Sequence, residues 1–292
     1  MSQTNAAAST AGQSLRITPV SPAIGAEIGG IDLARPLDEV TFRQIEQAWF
    51  DGVILLFRGQ NLGEDDQVRF AERFGSLVGS YDKAKQADRK HHHYAIMYIS
   101  NIRENGKLIG ALPDGEMYFH SDQCHAERPA KATMLYALEI PSKGGDTLFA
   151  NMYKAYEALP DELKTRLAGM KAENVYDYSD ETTQKRGSKI REGVKHTAHP
   201  IFRTHPDTGR KALYVNRLMT DHIVGMPEAE SDEILNFLFD HSEKPEFVYA
   251  HQWKVGDLIL WDNRCSIHAR TDFDASERRK LRRITVLGDE PR

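Results

Sequence analysis

His120-Ser121-Asp122 is the short stretch of this chain that holds the most chemistry. On a strand, alternate side chains share a face, so this spacing sets an imidazole beside a carboxylate. Those are two of the three protein ligands that a non-haem ferrous ion takes in a 2-His-1-carboxylate set. Such a set fills one face of an octahedron and leaves three positions open for substrate and O2. A second imidazole is needed, and His268 can supply it at the end of Trp261-Asp262-Asn263-Arg264-Cys265-Ser266-Ile267-His268. Taken alone, His-x-Asp is a common spacing whose bland reading is a polar pair in a surface turn.

Arg279 and Arg283 are four residues apart, which on a period-2 strand puts both on one face with Leu281 and Thr285. Two inward guanidiniums need anionic partners, because an unpaired buried charge is very costly. Arg278, Lys280 and Arg282 then face the other way, with solvent as the default explanation.

The elements that must position these groups are legible in outline. The chain has 292 residues, 43 acidic and 38 basic side chains, a net charge of −5 and 40% hydrophobic content. That is enough for a packed core and excludes a disordered tail or a collagen-like fibre. The length fits two domains or one elaborated β domain. Residues 1–14 are small and polar and predict a mobile arm, with the folded catalytic unit over 15–292. Helical spacing of apolar residues follows Asp38 and recurs over Glu64–Phe74, over Tyr153–Leu167 with a break near Pro160, and over Glu228–Phe239. Strand-like runs fall at Val53–Phe57, Tyr94–Ile99, Thr133–Leu138, Ala212–Val215, Glu246–His251, Leu258–Trp261 and Arg283–Leu287. Many short strands with few helices predict a mainly β fold with flanking helices, a jelly roll or related sandwich. Residues 79–118 and 172–212 are polar and poor in periodicity, and predict lid or insert segments.

No run approaches the ~18 apolar residues of a membrane-spanning helix, and the first residues lack the basic start and apolar stretch of a signal peptide. Only Cys124 and Cys265 occur, too few for a disulfide framework. The expectation is a soluble, cytoplasmic protein without membrane or nucleic-acid partners.

The ordered motifs together resemble one family. His120-x-Asp122, then Gly144-Gly145-Asp146-Thr147, then Trp261-Asp262-Asn263-Arg264 with His268, Arg279 and Arg283 are similar to the taurine dioxygenase and 2,4-dichlorophenoxyacetate dioxygenase family of iron(II)- and 2-oxoglutarate-dependent oxygenases. The resemblance runs from about Ile17 to Asp289 and includes Phe57-Arg58-Gly59-Gln60 and Arg73-Phe74-Gly75. It implies a double-stranded β-helix (jelly roll, cupin-like) core. It also implies His120, Asp122 and His268 as iron ligands, Thr147 and Arg279 on the distal carboxylate of 2-oxoglutarate, and Arg283 on the acidic group of a small anionic substrate. The implied reaction consumes O2, converts 2-oxoglutarate to succinate and CO2, and hydroxylates a substrate C–H bond. Asp122 stands where related halogenases have a small residue, which favours hydroxylation. A homo-oligomer, dimer or tetramer, is part of the same implication.

The tail motif is closer to the phenoxyacetate branch, through Cys265 and the 278–283 run, which puts aryloxyalkanoates first among substrates. Alkylsulfonates, sulfate esters and amino-acid-derived carboxylates are the alternatives. Taurine itself is disfavoured: Ser80 falls where the family's taurine site has a histidine, and Glu116 where it has an asparagine. Ser80, Tyr118 and Met219 are further pocket candidates.

Two other classes compete. A zinc hydrolase could use the same His-Asp-His set, but would leave Arg279, Arg283 and Thr147 without a reason. A nucleic-acid-binding protein could use the basic run 278–283, but strand alternation splits that run between two faces and the net charge is negative. His91-His92-His93 cannot share one regular face and reads as a polar loop. Cys124 and His125 read as packing residues, and His196, His199 and His205 as solvated or structural.

Overall fold

The computed structural model describes residues 15–79, 93–110, 117–176, 190 and 192–292. The expectations for residues 1–14, Ser80, His91, His92 and Glu116 lie outside the described residues.

The apolar run Leu258–Asp262 explains the architecture. It forms a strand with all five residues buried, paired antiparallel with Ile54–Phe57 on one side and Ala130–Glu139 on the other. Leu258 and Leu260 enter one buried cluster, Ile259 and Trp261 another. A strand covered on both faces reads as a continuous apolar run. Around it lies a seven-stranded sheet in the order Arg16–Pro19, Ala26–Gly29, Ile54–Phe57, Leu258–Asp262, Ala130–Glu139, Lys280–Leu287, Met97–Ser100. A four-stranded sheet follows the order Val248–His251, Thr147–Asn151, Ser266–Arg270, Met117–His120.

The inner faces of the two sheets meet at aromatic rings. Phe149 and His268 of the small sheet lie 5.5 and 4.7 Å from Trp261 of the large one, centroid to centroid. The large sheet's outer face is covered by the helices Glu39–Gly52 and Glu64–Glu72, whose Phe42, Trp49 and Phe70 pack edge-on around Phe74. Asp38 caps the first of these by accepting from the Thr41 amide at 2.8 Å. Outside the small sheet, Ala150, Ile267 and Ala269 share a cluster with Met152, Leu235 and Phe239 of the helices Met152–Glu157 and Glu228–Ser242. Each fully buried large apolar side chain contributes on the order of 1.5–3 kcal/mol. No helix among the described residues is long and apolar enough to cross a membrane.

Three expectations are corrected. Much of 172–212 is regular: Lys171–Tyr176 pairs with Lys195–Pro200 and with Thr220–Ile223, and Phe202–Thr204 pairs with Lys211–Leu213. The period-2 signal is weak there because Asn174 takes an inward position, satisfied by the Thr220 hydroxyl and the Ala172 carbonyl. Arg282 is buried, not solvated, and donates to the Leu62 carbonyl, because helices cover the face that alternation assigned to solvent. The expected strand at Tyr94 begins only at Met97.

Gly144 bridges Phe273 with φ +75°, and a Cβ there would run into the Asp272 carbonyl oxygen. Gly209 has φ +70° with open space around it. Gly144→Ala is therefore expected to lose about 2–3 kcal/mol in urea unfolding, and Gly209→Ala only about 1.

Candidate active site

His120 ends the Met117–His120 strand, and His268 is its cross-strand partner on Ser266–Arg270. Their rings lie 4.2 Å apart. Asp122 is not on the strand: the chain turns after His120, so the expected strand alternation is replaced by a turn whose carboxylate is buried. The outcome of the spacing survives. His120 Nε2 and His268 Nε2 lie 3.9 and 3.8 Å from Asp122 Oδ1. Ligand atoms of the three residues fall within 4.8 Å of one another.

Both oxygens of Asp122 are oriented by the large sheet. Thr133 donates to Oδ2 at 2.6 Å, and Arg283 Nη2 lies 2.7 Å from Oδ1. Asn263 ties the turn down: its Oδ1 accepts from the Asp122 amide at 3.2 Å and from Trp261 Nε1 at 3.0 Å, while its Nδ2 donates to Thr133 Oγ1 at 2.9 Å. His120 Nδ1 is 2.9 Å from the Tyr118 carbonyl, which can only accept. That fixes the proton on Nδ1 and leaves the Nε2 lone pair toward Asp122. Two neutral imidazoles and one carboxylate, with spare lone pairs converging, suit a divalent transition ion.

Burial opposes ionisation of Asp122, but the Arg283 guanidinium, the two imidazoles and the Thr133 hydroxyl outweigh it and hold the carboxyl well below the usual range. Burial pushes His120 down. Burial, and then the neighbouring His120, push His268 down to about 3. The set is therefore neutral-imidazole and anionic-carboxylate at neutral pH, the form a metal needs.

A second cluster, His205, Asp262 and Cys265, also brings candidate ligand atoms within 4.8 Å. Its carboxylate is already committed. Arg264 Nε and Nη2 donate to the two oxygens of Asp262 at 2.9 and 2.7 Å, and His205 Nε2 lies 3.0 Å from Oδ2. This is a structural ion pair that anchors the loop carrying Asn263.

Thr147 opens its strand and its hydroxyl accepts from Trp253 Nε1 at 3.0 Å. Arg279 lies one residue before the Lys280–Leu287 strand rather than on it with Arg283, as alternation had predicted; the strand itself shifts register between Lys280 and Leu281, and Arg279 is 1% exposed. Its amide donates to Asn101 Oδ1 and its Nη2 to the Gly145 carbonyl, while Nε and Nη1 are buried with no partner among the described residues. Burial, and then the neighbouring Arg270 charge, push its pKa down to about 9. A buried guanidinium with two spare donors suits an anionic partner such as a carboxylate.

Tyr118 is exposed, on the Met117–His120 strand whose pairing with Ser266–Arg270 is irregular between Met117 and His120. Met219 is buried with its sulfur 3.3 Å from Cys124 Sγ, in a small cluster with Tyr214. His125 stacks on Tyr176 at 4.5 Å. His199 and His205 are buried, and His196 is paired with Glu173. Sequence reasoning missed Thr133, Asn263 and Trp253. Asn263 lay in a quoted motif without a role, while Thr133 and Trp253 have no sequence signal apart from polar atoms in buried elements.

A convergent His-Asp-His cluster between the two sheets of a mainly β fold, with the buried, under-partnered Arg279, is the arrangement of an iron(II)- and 2-oxoglutarate-dependent dioxygenase. The model of the taurine catabolism dioxygenase TauD, TfdA family matches residues 16–285, and the chain belongs to that family. It is 35% identical to the alpha-ketoglutarate-dependent 2,4-dichlorophenoxyacetate dioxygenase of Cupriavidus pinatubonensis, over 93% of this chain and 97% of that protein. It is also 35% identical to a pentalenolactone F synthase of Streptomyces avermitilis, over 92% of each chain. Among solved structures it is similar to AAD-2 in complex with Mn(II) and N-oxalylglycine, with TM-score 0.80, 30% identity and coverage of 95% and 98% of the two chains.

The buried ligands set a pH dependence. His268 is lowered from 6.5 to about 3 and Asp122 is lowered from 3.8, so the unfolded chain binds more protons than the native one as pH falls. Stability of the metal-free protein should decline from about pH 7 toward pH 3, the His268 part entering below 6.5. His268→Gln should flatten the upper part of that decline in melting temperature measured against pH. An unchanged slope would count against the burial of an unprotonated imidazole.

Proposed function

We propose that this enzyme hydroxylates a small anionic organic substrate, an aryloxyalkanoate-like carboxylate in first place, with His120, Asp122 and His268 holding iron(II). In this reading Thr147 and Arg279 bind the distal carboxylate of 2-oxoglutarate, and Arg283 binds the substrate's acidic group. The double-stranded β-helix is the fold name that best suits its two facing sheets. Residues 15–292 act as one catalytic unit, in the cytoplasm and as a homo-oligomer.

The observation that carries the substrate reading is Arg283. Its side chain is 21% exposed, it touches the ligand Asp122, and its Nε is buried without a partner among the described residues. A guanidinium with donors to spare beside the reaction centre holds an anion in a defined direction. The likeness to a 2,4-dichlorophenoxyacetate dioxygenase supports an aryloxy acid.

When bound, iron(II), 2-oxoglutarate and O2 supply the oxidation: the oxo acid becomes succinate and CO2, and one substrate C–H becomes C–OH. The chain's own residues position. Arg279, with Nε and Nη1 free, clamps the distal carboxylate and selects a dicarboxylic 2-oxo acid over pyruvate. The Thr147 hydroxyl, already accepting from Trp253, is left its proton to donate. Thr133 and Asn263 keep Asp122 from rotating. Arg283 turns one C–H bond of the substrate toward the metal. Hydroxylation beside an ether oxygen gives a hemiacetal, which collapses to a phenol and a 2-oxo acid or aldehyde.

The test is succinate formation in a screen of aryloxyalkanoates, alkylsulfonates, sulfate esters and amino-acid-derived carboxylates, with iron, O2 and 2-oxoglutarate each omitted in turn. Turnover that survives omission of any one of them overturns the reading, as does a zinc-dependent hydrolysis. His120→Ala, Asp122→Ala and His268→Ala are each expected to abolish iron-dependent turnover. Arg283→Ala should raise KM for the true substrate at least about tenfold, the scale of a lost charged hydrogen bond. The KM for 2-oxoglutarate should stay near wild type.

A further inference from the structure

Arg270 has no role in the mechanism above, and its position gives it one. It lies two residues beyond His268 on Ser266–Arg270, and the register pairs Arg270 with Thr147 as it pairs His268 with Phe149. By strand alternation, residues 268 and 270 share the face that carries the metal ligand, and Thr147 stands beside Arg270 on the neighbouring strand. Arg270 is buried, at 8% exposure. Its guanidinium carbon lies 5.5 Å from the centroid of the Phe273 ring, and that of Arg279 lies 6.0 Å from the same centroid. Two buried cations therefore flank one ring, beside the Thr147 hydroxyl.

Like charges in a buried pocket repel one another, and burial together with Arg270 already lowers the Arg279 pKa. An anion placed between them relieves both. A 2-oxo acid ending in a methyl group cannot do this; one ending in a carboxylate can. We propose that Arg270 is a second guanidinium of the distal-carboxylate pocket, so that Arg270, Arg279 and Thr147 together bind the far end of the co-substrate and enforce a dicarboxylic 2-oxo acid. This rests on the assignment of Thr147 and Arg279 to 2-oxoglutarate and adds a positioning residue to it. The competing role for Arg270 is structural, a cation over the face of Phe273.

Calorimetric titration of the Mn(II)-loaded full chain with 2-oxoglutarate and with 2-oxopentanoate separates the two roles, because these acids differ only in the distal group. The wild type is expected to bind 2-oxoglutarate more tightly. Arg270→Met should weaken 2-oxoglutarate about ten- to hundredfold while leaving 2-oxopentanoate within about twofold, and Arg270→Lys should recover part of the loss. If Arg270→Met does not fold, Arg270→Gln is read by the same ratio of the two affinities. An unchanged 2-oxoglutarate affinity, or an equal loss for both acids, overturns the proposal and leaves Arg270 a structural cation. A wild type that does not prefer 2-oxoglutarate overturns the co-substrate assignment itself, and Arg270's role with it.

Discussion

The burial of one carboxylate, Asp122, is the constraint from which the rest of the site follows. A buried anion is tolerated only when its oxygens are met by charge and hydrogen bonds. Here Oδ2 takes the Thr133 hydroxyl and Oδ1 faces Arg283, both from the large sheet. The two imidazoles that face Oδ1 come from the small sheet. Closing the sandwich and building the ligand set are therefore one event: slide the sheets apart and Asp122 loses its partners as the imidazoles lose their third donor.

Because the partners come from rigid strands, the geometry is held by elements whose interiors are fully packed. The Trp261-to-Arg264 run shows how. Trp261 packs between the sheets and donates to Asn263, Asn263 holds the Asp122 turn, and the Asp262–Arg264 pair with His205 fixes the loop that presents Asn263. One tetrapeptide thus connects the aromatic contact between the sheets to the orientation of a ligand. The polar groups on this path are satisfied, and a satisfied buried network rigidifies what it joins.

The convergence of two imidazoles and a carboxylate was legible in the sequence because these residue types are rare in combination. His120, Asp122 and His268 announce their chemistry even though the expected strand at Asp122 is a turn, since the two-residue spacing brings the groups together either way. Thr133 was not legible. A threonine in an apolar strand is also an ordinary β-former, and only the fold shows that it faces a carboxylate. Arg282 was misread for the opposite reason. Alternation placed it correctly on the outer face, but whether that face meets water depends on the helices Glu39–Gly52 and Glu64–Glu72, which no local pattern ties to this strand. The strands Lys171–Tyr176, Lys195–Pro200 and Phe202–Thr204 escaped because polar residues such as Asn174 and Arg203 take buried positions and break the alternation, whereas Lys211–Leu213 overlaps the expected run Ala212–Val215.

The charge inventory of the inner face accounts for the kind of ligands the site supports. Asp122 is an anion close to Arg283, with the buried Arg279 guanidinium on the same strand's approach, and in the proposed reading a ferrous ion would add two further positive charges. In that reading a bound dicarboxylic 2-oxo acid would neutralise part of this charge, and the guanidinium of Arg283 would still favour a small anion over a neutral or cationic molecule. The division of labour is spatial. Arg279 is 1% exposed, whereas the Arg283 side chain is 21% exposed and open to a molecule arriving from solvent. In the proposed reading the same guanidinium chemistry serves two recognition tasks, and depth of burial separates them: Arg279 would meet one short co-substrate chain and Arg283 the anionic group of the substrate.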